Sequence, residues 1–229
     1  MLLLFYCLFL AVSGLLGAQQ VSGGNTTARI LRPSEDNVLP AIRAARNKRF
    51  NVRLPYSMLE PFPSGVGYPS VSYKFTNFPE LPIQEADTVV VGTVTDVQPF
   101  LSEDRKGIYT EYKVNVTEVL KISAPTVVRP GLSMTLARAG GAAQLLDGHE
   151  VKHRITNDVV PTNRKEYLLF LIYEPTLETF DYIKLWLIED GALRPVCPDD
   201  IGRRHSGTSQ YAGISKVEVL RLIKAKLNR

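Results

Sequence analysis

Hydrophobic and polar positions alternate along the middle of this chain with a period of two, and that alternation predicts strands. The segment "IYTEYKVNVTEVLK" sets Tyr112, Val114 and Val116 against Glu111, Lys113 and Asn115, one row for a core and one for solvent. "LSMTLAR" does the same with Leu132, Met134 and Leu136. Ahead of both, "DTVVVGTVTDVQPF" is dense in β-branched residues that suit a pleated surface, with Gly92 placed for a bulge or tight bend. "EYLLFLIY" is apolar throughout, as expected of a strand buried on both faces. "FDYIKLWLI" follows and is closed by Asp190-Gly191. Between the early strands, "SEDRKG" and Pro130-Gly131 supply turns, and "AAQLL" and "HEVKHRI" flank Asp147-Gly148, a strong short hairpin signal. Six strands in about 105 residues argue a small antiparallel barrel or sandwich, and a barrel also leaves no open edge.

The ends of the chain change the period. Near the C-terminus, Ser215 and Glu218 form a capping-box pattern, and Val219, Leu220, Ile223 and Leu227 share one helical face, with Arg221, Lys224 and Lys226 away from it. Near the N-terminus, "NVLPAIRAARNKRF" predicts a short basic helix with Pro40 in its first turn. Six prolines between Pro55 and Pro82 remove backbone donors and predict extended, irregular chain, interleaved with Tyr56, Phe62, Tyr68, Tyr73, Phe75 and Phe78. The expected organisation is a leader over 1–18, a basic, Pro-rich irregular segment over 19–82, a β-barrel domain over 83–196, and a polar loop with the helix over 197–229.

The leader, "MLLLFYCLFLAVSGLLGAQQ", has no charged side chain and is too short to span a bilayer, so it reads as a secretory signal cleaved after Ala18; an uncleaved anchor is the alternative. Cys7 falls inside it. The mature chain then keeps only Cys197, which cannot close an intramolecular disulfide and reads as an inert thiol. Asn25-Thr-Thr and Asn115-Val-Thr are glycosylation acceptors in a eukaryotic source.

Charge is unevenly placed. Residues 19–60 carry seven Lys or Arg against three Asp or Glu, and residues 202–229 carry seven against one, while 61–201 carry thirteen against nineteen. Basic ends on an acidic body read first as solvated faces. They also fit tails folded onto the body, or contact with an anionic membrane, glycan or nucleic acid, the last disfavoured by export.

The candidate chemistry is H-E-x-x-H in "DGHEVKHRI". On a helix, His149 and His153 would sit one turn apart, about 6 Å along the axis, and share a zinc ion, with Glu150 as general base. On a strand the two histidines would lie roughly 13 Å apart at about 3.3 Å per residue, with Glu150 on the opposite face. Glu150, Lys152 and Arg154 alternate with His149, Val151, His153 and Ile155, which is period two and predicts a strand. Across a two-residue turn Leu145 would pair with Glu150 and Gln144 with Val151, so a bulge or shift is also expected. Asp199-Asp200 reads as solvated rather than as half of a calcium site, and His205-Ser206 has no visible third partner. No catalytic, cofactor or metal residue is assigned, and no cofactor is expected.

The segments "ADTVVVGTVTDV", "YTEYKVNVTEVLK" and "EYLLFLIY" resemble the opening and middle strands of secreted OB-like barrels of the netrin and metalloproteinase-inhibitor type. They resemble still more closely uncharacterised exported bacterial proteins of similar pattern. The resemblance spans Ala86 to Tyr173 through the texture A-D-x-V-x-x-G-x-V followed by Y-x-V-x-V-x-x-V-L-K. It implies a small antiparallel OB-like barrel of five to six strands; with the C-terminal amphipathic helix and the irregular N-terminal segment read from the residues above, the expected chain is mainly β. In the inhibitor family an N-terminal cysteine chelates the target's zinc and disulfides staple the barrel. A mature chain beginning near Gln19 has neither, so no functional residue carries over.

The expected function is an exported, secreted or periplasmic, non-enzymatic β-barrel module that binds an unknown protein or glycan and has no membrane span in its mature form. Weak anionic-surface contact through the basic ends is compatible with it. Two alternatives stay open: a zinc-dependent hydrolase using His149, Glu150 and His153, and a structural envelope component.

Overall fold

A computed structural model describes residues 28–29, 38–52, 78–144, 150–153, 160–196 and 209–228. The leader, most of the Pro-rich stretch, Asn25, His149, Cys197, Asp199-Asp200 and His205-Ser206 lie outside the described residues.

The chain is mainly β. In order come β1 (Ala28–Arg29), α1 (Pro40–Arg49), β2 (Thr88–Leu101), β3 (Ile108–Ile122), β4 (Ser133–Ala139), β5 (Gly141–Gln144), β6 (Glu150–His153), β7 (Glu166–Glu174), β8 (Thr179–Glu189), β9 (Ala192–Pro195) and α2 (Lys216–Leu227). Six strands form one antiparallel sheet in the order β4-β3-β2-β7-β8-β9. A single parallel contact, Leu136 to Phe180, joins β4 to β8 and turns five of the six into a ring. Arg138 of β4 reinforces that seam: its guanidinium donates to Asp181 Oδ1 (2.8 Å) and the Tyr182 carbonyl (2.7 Å) and lies over the Tyr182 ring. A second, small sheet has the order β1-β5-β6.

Alternation sorts the side chains as the period-two pattern predicts. Val90, Val94, Tyr112, Val114, Val116 and Leu136 point into the ring and pack with Tyr167, Leu169 and Leu171 of β7. The other face of β7 is also buried, as the unbroken apolar run implied. Leu168 and Phe170 join Val89, Val91, Trp186 and Leu193 in a second core beneath α2. There α2 buries Val219, Leu220 and Ile223, each contributing about 1.5–3 kcal/mol. Its start is capped by Ser215 Oγ, which accepts from the Glu218 amide. The Glu218 carboxylate does not complete the box; it pairs with Arg221 instead.

Two turns differ from expectation in an instructive way. Asp190 and Gly191 both take positive φ (52° and 72°), and Glu189 pairs with Ala192 across them, so Asp-Gly here makes a two-residue hairpin into β9 rather than an end. At the other Asp-Gly the pairing is Gln144 with Glu150 and Ala143 with Val151. That places residues 145–149 between the strands and supplies the register shift the misaligned pairs required.

Gly92 sits at a register irregularity in the β2–β3 ladder. A Cβ there would meet Val114 Cγ1 at 2.5 Å and the Asn115 carbonyl oxygen at 2.9 Å. Gly92→Ala is expected to cost about 1–3 kcal/mol by overpacking, seen as a lower urea midpoint at unchanged m-value. An unmoved midpoint would mean that the ladder yields freely at this point.

Candidate functional site

The H-E-x-x-H segment is strand where it is described. Glu150–His153 forms β6, antiparallel to β5, so these residues lack the helical rise that brings i and i+4 together. His153 is 5% exposed. Its Nδ1 lies 3.4 Å from the Ile108 amide nitrogen and 3.3 Å from the Ile108 carbonyl oxygen. Its Nε2 is buried with no partner among the described residues. Burial holds the imidazole pKa below its ordinary value, partly opposed by the hydrogen bond to Ile108, so His153 is neutral at pH 7. Among the described residues no three His, Cys, Asp or Glu side chains cluster as a metal set.

A different surface emerges from the ladder. On the outer face of β2, β3 and β4 the registers align residues in rows: Phe100–Tyr109–Ala139, Gln98–Glu111–Ala137, Asp96–Lys113–Thr135 and Thr93–Asn115–Ser133. The first two rows are covered by α1. Local pattern puts Glu111 with Lys113 and Asn115 on a solvent face, yet Glu111 is buried while the other two are exposed.

The cover is a basic helix without a long apolar stripe, so polar groups must hold it. Glu111 accepts from Arg43 through both oxygens (2.5 and 3.2 Å) and from Arg46 through both (3.1 Å each). Arg46 spends its remaining donors on the carbonyls of Leu177 (2.8 Å) and Glu178 (3.2 Å) in the β7–β8 turn. Arg43 lies over the Phe100 ring and donates to the Tyr109 hydroxyl at 2.6 Å. That hydroxyl donates in turn to Asn47 Oδ1, while the Tyr109 ring stacks between Phe50 and Phe100. Burial, with the Glu111 charge, pushes the Tyr109 hydroxyl far above its ordinary pKa, so it stays protonated. At its end α1 meets the β2–β3 turn, where the Glu103 amide donates to the Asn47 carbonyl and Asp104 accepts from the Val52 amide. Part of the basic charge at the chain ends is therefore internal: Arg43 and Arg46 belong to Glu111, Lys216 to Glu166 and Lys224 to Glu118.

The other two rows stay open. Asn115, Ser133 and Lys113 are exposed, with Thr93, Thr135 and Asp96 partly so. Thr95 stands beside them and donates to the Lys113 carbonyl, while Asp96 accepts from Gln98 Nε2 at 2.8 Å. The result is a patch of hydroxyl, amide, ammonium and carboxylate groups on three paired strands. The outward row of β3 was readable from alternation alone. Its neighbours on β2 and β4 were not, because register depends on bulges near Gly92 and Asp96.

Glu111→Gln, which leaves two guanidiniums without a counter-charge, is expected to cost about 3–5 kcal/mol. It should also raise amide exchange in α1 ahead of β7; a thermal midpoint unchanged by the substitution would show that the cluster contributes little. Purified chain is expected to carry no stoichiometric zinc, with the His149→Ala, His153→Ala double variant unchanged; one zinc per chain that the variant loses would restore the hydrolase alternative. No protein-family model matches the chain, and no curated protein or solved structure matches it either.

Proposed function

We propose that this chain is an exported, non-enzymatic binding module that takes a glycan on the open rows of the β2–β3–β4 wall. One observation carries the reading. Three paired strands present Thr93, Asp96, Lys113, Asn115, Ser133 and Thr135 outward, while α1 covers the adjoining rows of the same wall and α2 covers another part of the ring exterior. OB-like rings take extended ligands across an exposed sheet face. That analogy supports a location, and the side chains there decide the chemistry.

The exposed groups are mainly hydrogen-bond donors and acceptors: the hydroxyls of Thr93, Ser133 and Thr135, the Asn115 amide, and the charged ends of Lys113 and Asp96. Such a surface suits a polyhydroxylated ligand that exchanges hydrogen bonds with water for hydrogen bonds with protein, many of them modest. Lys113 favours an acidic sugar over a neutral one. Export rests on the uncharged apolar leader over residues 1–18. No helix among the described residues is long and apolar enough to cross a membrane.

Full-length chain screened on a panel of neutral and acidic glycans is expected to bind an acidic member. Asn115→Ala with Lys113→Ala should then weaken binding by about tenfold or more, equivalent to about 1.4 kcal/mol. Binding indifferent to both substitutions would move the site elsewhere. Capture of a protein and no glycan would leave a binding module of another class.

A further inference from the structure

We infer that the open wall reads a sugar by two poles, Lys113 for a carboxylate and Asp96 for the hydroxyls beside it, so that its ligand is a uronate-type glycan rather than a densely sulfated one. The inference rests on the wall reading proposed above and narrows it. Its origin is a β-bulge that re-aims one side chain.

Along β2 and β3 the ladder pairs Thr93 with Asn115 and Val94 with Val114, then passes over Thr95 and pairs Asp96 with Lys113. Continued without that shift, the register would set Thr95 opposite Lys113 and Asp96 opposite Tyr112, which is buried in the ring core. The extra residue therefore turns a carboxylate from the inner face to the outer one. Thr95 stays exposed at the bulge, and its hydroxyl donates to the Lys113 carbonyl at 3.2 Å.

Opposite charges set directly across two strands ordinarily attract one another into a pair. Here the Asp96 carboxylate is held along its own strand instead. Oδ1 accepts from the Val97 amide at 2.9 Å, and Oδ2 accepts from Gln98 Nε2 at 2.8 Å. Lys113 is exposed, and no ion pair joins it to Asp96. Gln98 lies in the next row, beside Glu111 at the border of α1. It is a positioning residue: its amide keeps the carboxylate from neutralising the ammonium. A carboxylate has about four acceptor positions, so Asp96 retains acceptor capacity after both bonds are made.

The two poles start from Cα atoms about 4.5–5.5 Å apart, as cross-strand neighbours do, so one sugar ring can reach both. A uronate carries a single carboxylate with hydroxyls on the same ring. The carboxylate suits Lys113, the neighbouring hydroxyls donate to Asp96, and the rest of the chain meets the Thr93, Ser133 and Thr135 hydroxyls and the Asn115 amide. A polysulfated chain brings several charges to a surface where Lys113 is the one cation among the six outward residues and Asp96 repels. It also finds no arginine fork among those six.

Titration calorimetry of the full chain with an oligogalacturonate, its methyl ester and a heparin-type oligosaccharide of similar length tests the assignment. The oligogalacturonate is expected to bind more tightly than either of the others. Asp96→Asn, which removes the repelling charge, should shift the ratio toward the sulfated probe by about tenfold. Gln98→Leu, which frees Asp96 to turn to Lys113, should erase the preference for the acid over its ester while leaving affinity for the ester unchanged. Equal or tighter binding of the sulfated probe, at a site that Lys113→Ala removes, overturns the two-pole assignment and leaves an acidic-glycan wall standing. An acid preference that survives both Asp96→Asn and Gln98→Leu overturns it too. No binding of any probe, or binding that Lys113→Ala does not touch, overturns the wall reading and this inference with it. Should a variant fail to fold, the wild-type order of the three probes decides the matter.

Discussion

A seam one residue pair wide closes this molecule. β4 and β8 meet in parallel only at Leu136 and Phe180, and without that contact the six strands would be an open sheet with β4 as a bare edge. The inside and outside of every strand, and therefore the identity of the exposed wall, depend on that closure. Two arginines strengthen it from outside the ladder. Arg138 crosses directly from β4 to Asp181 and Tyr182 of β8. Arg46 crosses from Glu111, beside Ala137 in the ladder, to the carbonyls just before β8 begins. α1 is thus a strap over the seam as much as a cover for the wall.

The strap is charged, and its energetics differ from those of the apolar cores. Desolvating one carboxylate and two guanidiniums costs several kcal/mol per ion, recovered only where the hydrogen bonds are nearly complete. Arg46 meets that condition, with Nε, Nη1 and Nη2 all engaged. An apolar helix of the same shape would hold as well or better. What the ions add is position: a guanidinium that must find one carboxylate and two named carbonyls admits a single placement of α1, whereas an apolar stripe tolerates sliding.

Much of the scaffold was legible because its signals are local. The β3 alternation, the doubly buried run of β7, Pro40 at the first turn of α1 and Ser215 at the cap of α2 all encode their own neighbourhoods. Where the outcome depended on distant residues, the local reading failed. Glu111 and Lys113 are indistinguishable by alternation, yet one is buried and one exposed, because the helix that separates their fates lies more than sixty residues earlier. β9 escaped notice because four residues ending in Pro195 carry no periodicity, and its pairing is dictated by the positive-φ pair at Asp190-Gly191. The two Asp-Gly turns make the same point. Identical dipeptides lie between pairs of different spacing: Glu189 pairs with Ala192 across Asp190-Gly191, whereas Gln144 pairs with Glu150 on either side of the other.

The histidines show why a motif cannot be separated from the period that carries it. A four-residue spacing is a zinc-ligand spacing at about 1.5 Å per residue and loses that meaning at about 3.3 Å. β6 adopts the second rise, and His153 takes its chemistry from what surrounds it: an amide and a carbonyl of Ile108 on one nitrogen, and no described partner on the other. On the exposed wall the same logic runs outward. Glu111 is committed to α1, so the groups left open on the wall are hydroxyls, amides, Lys113 and Asp96, all of which keep their hydrogen bonds to water.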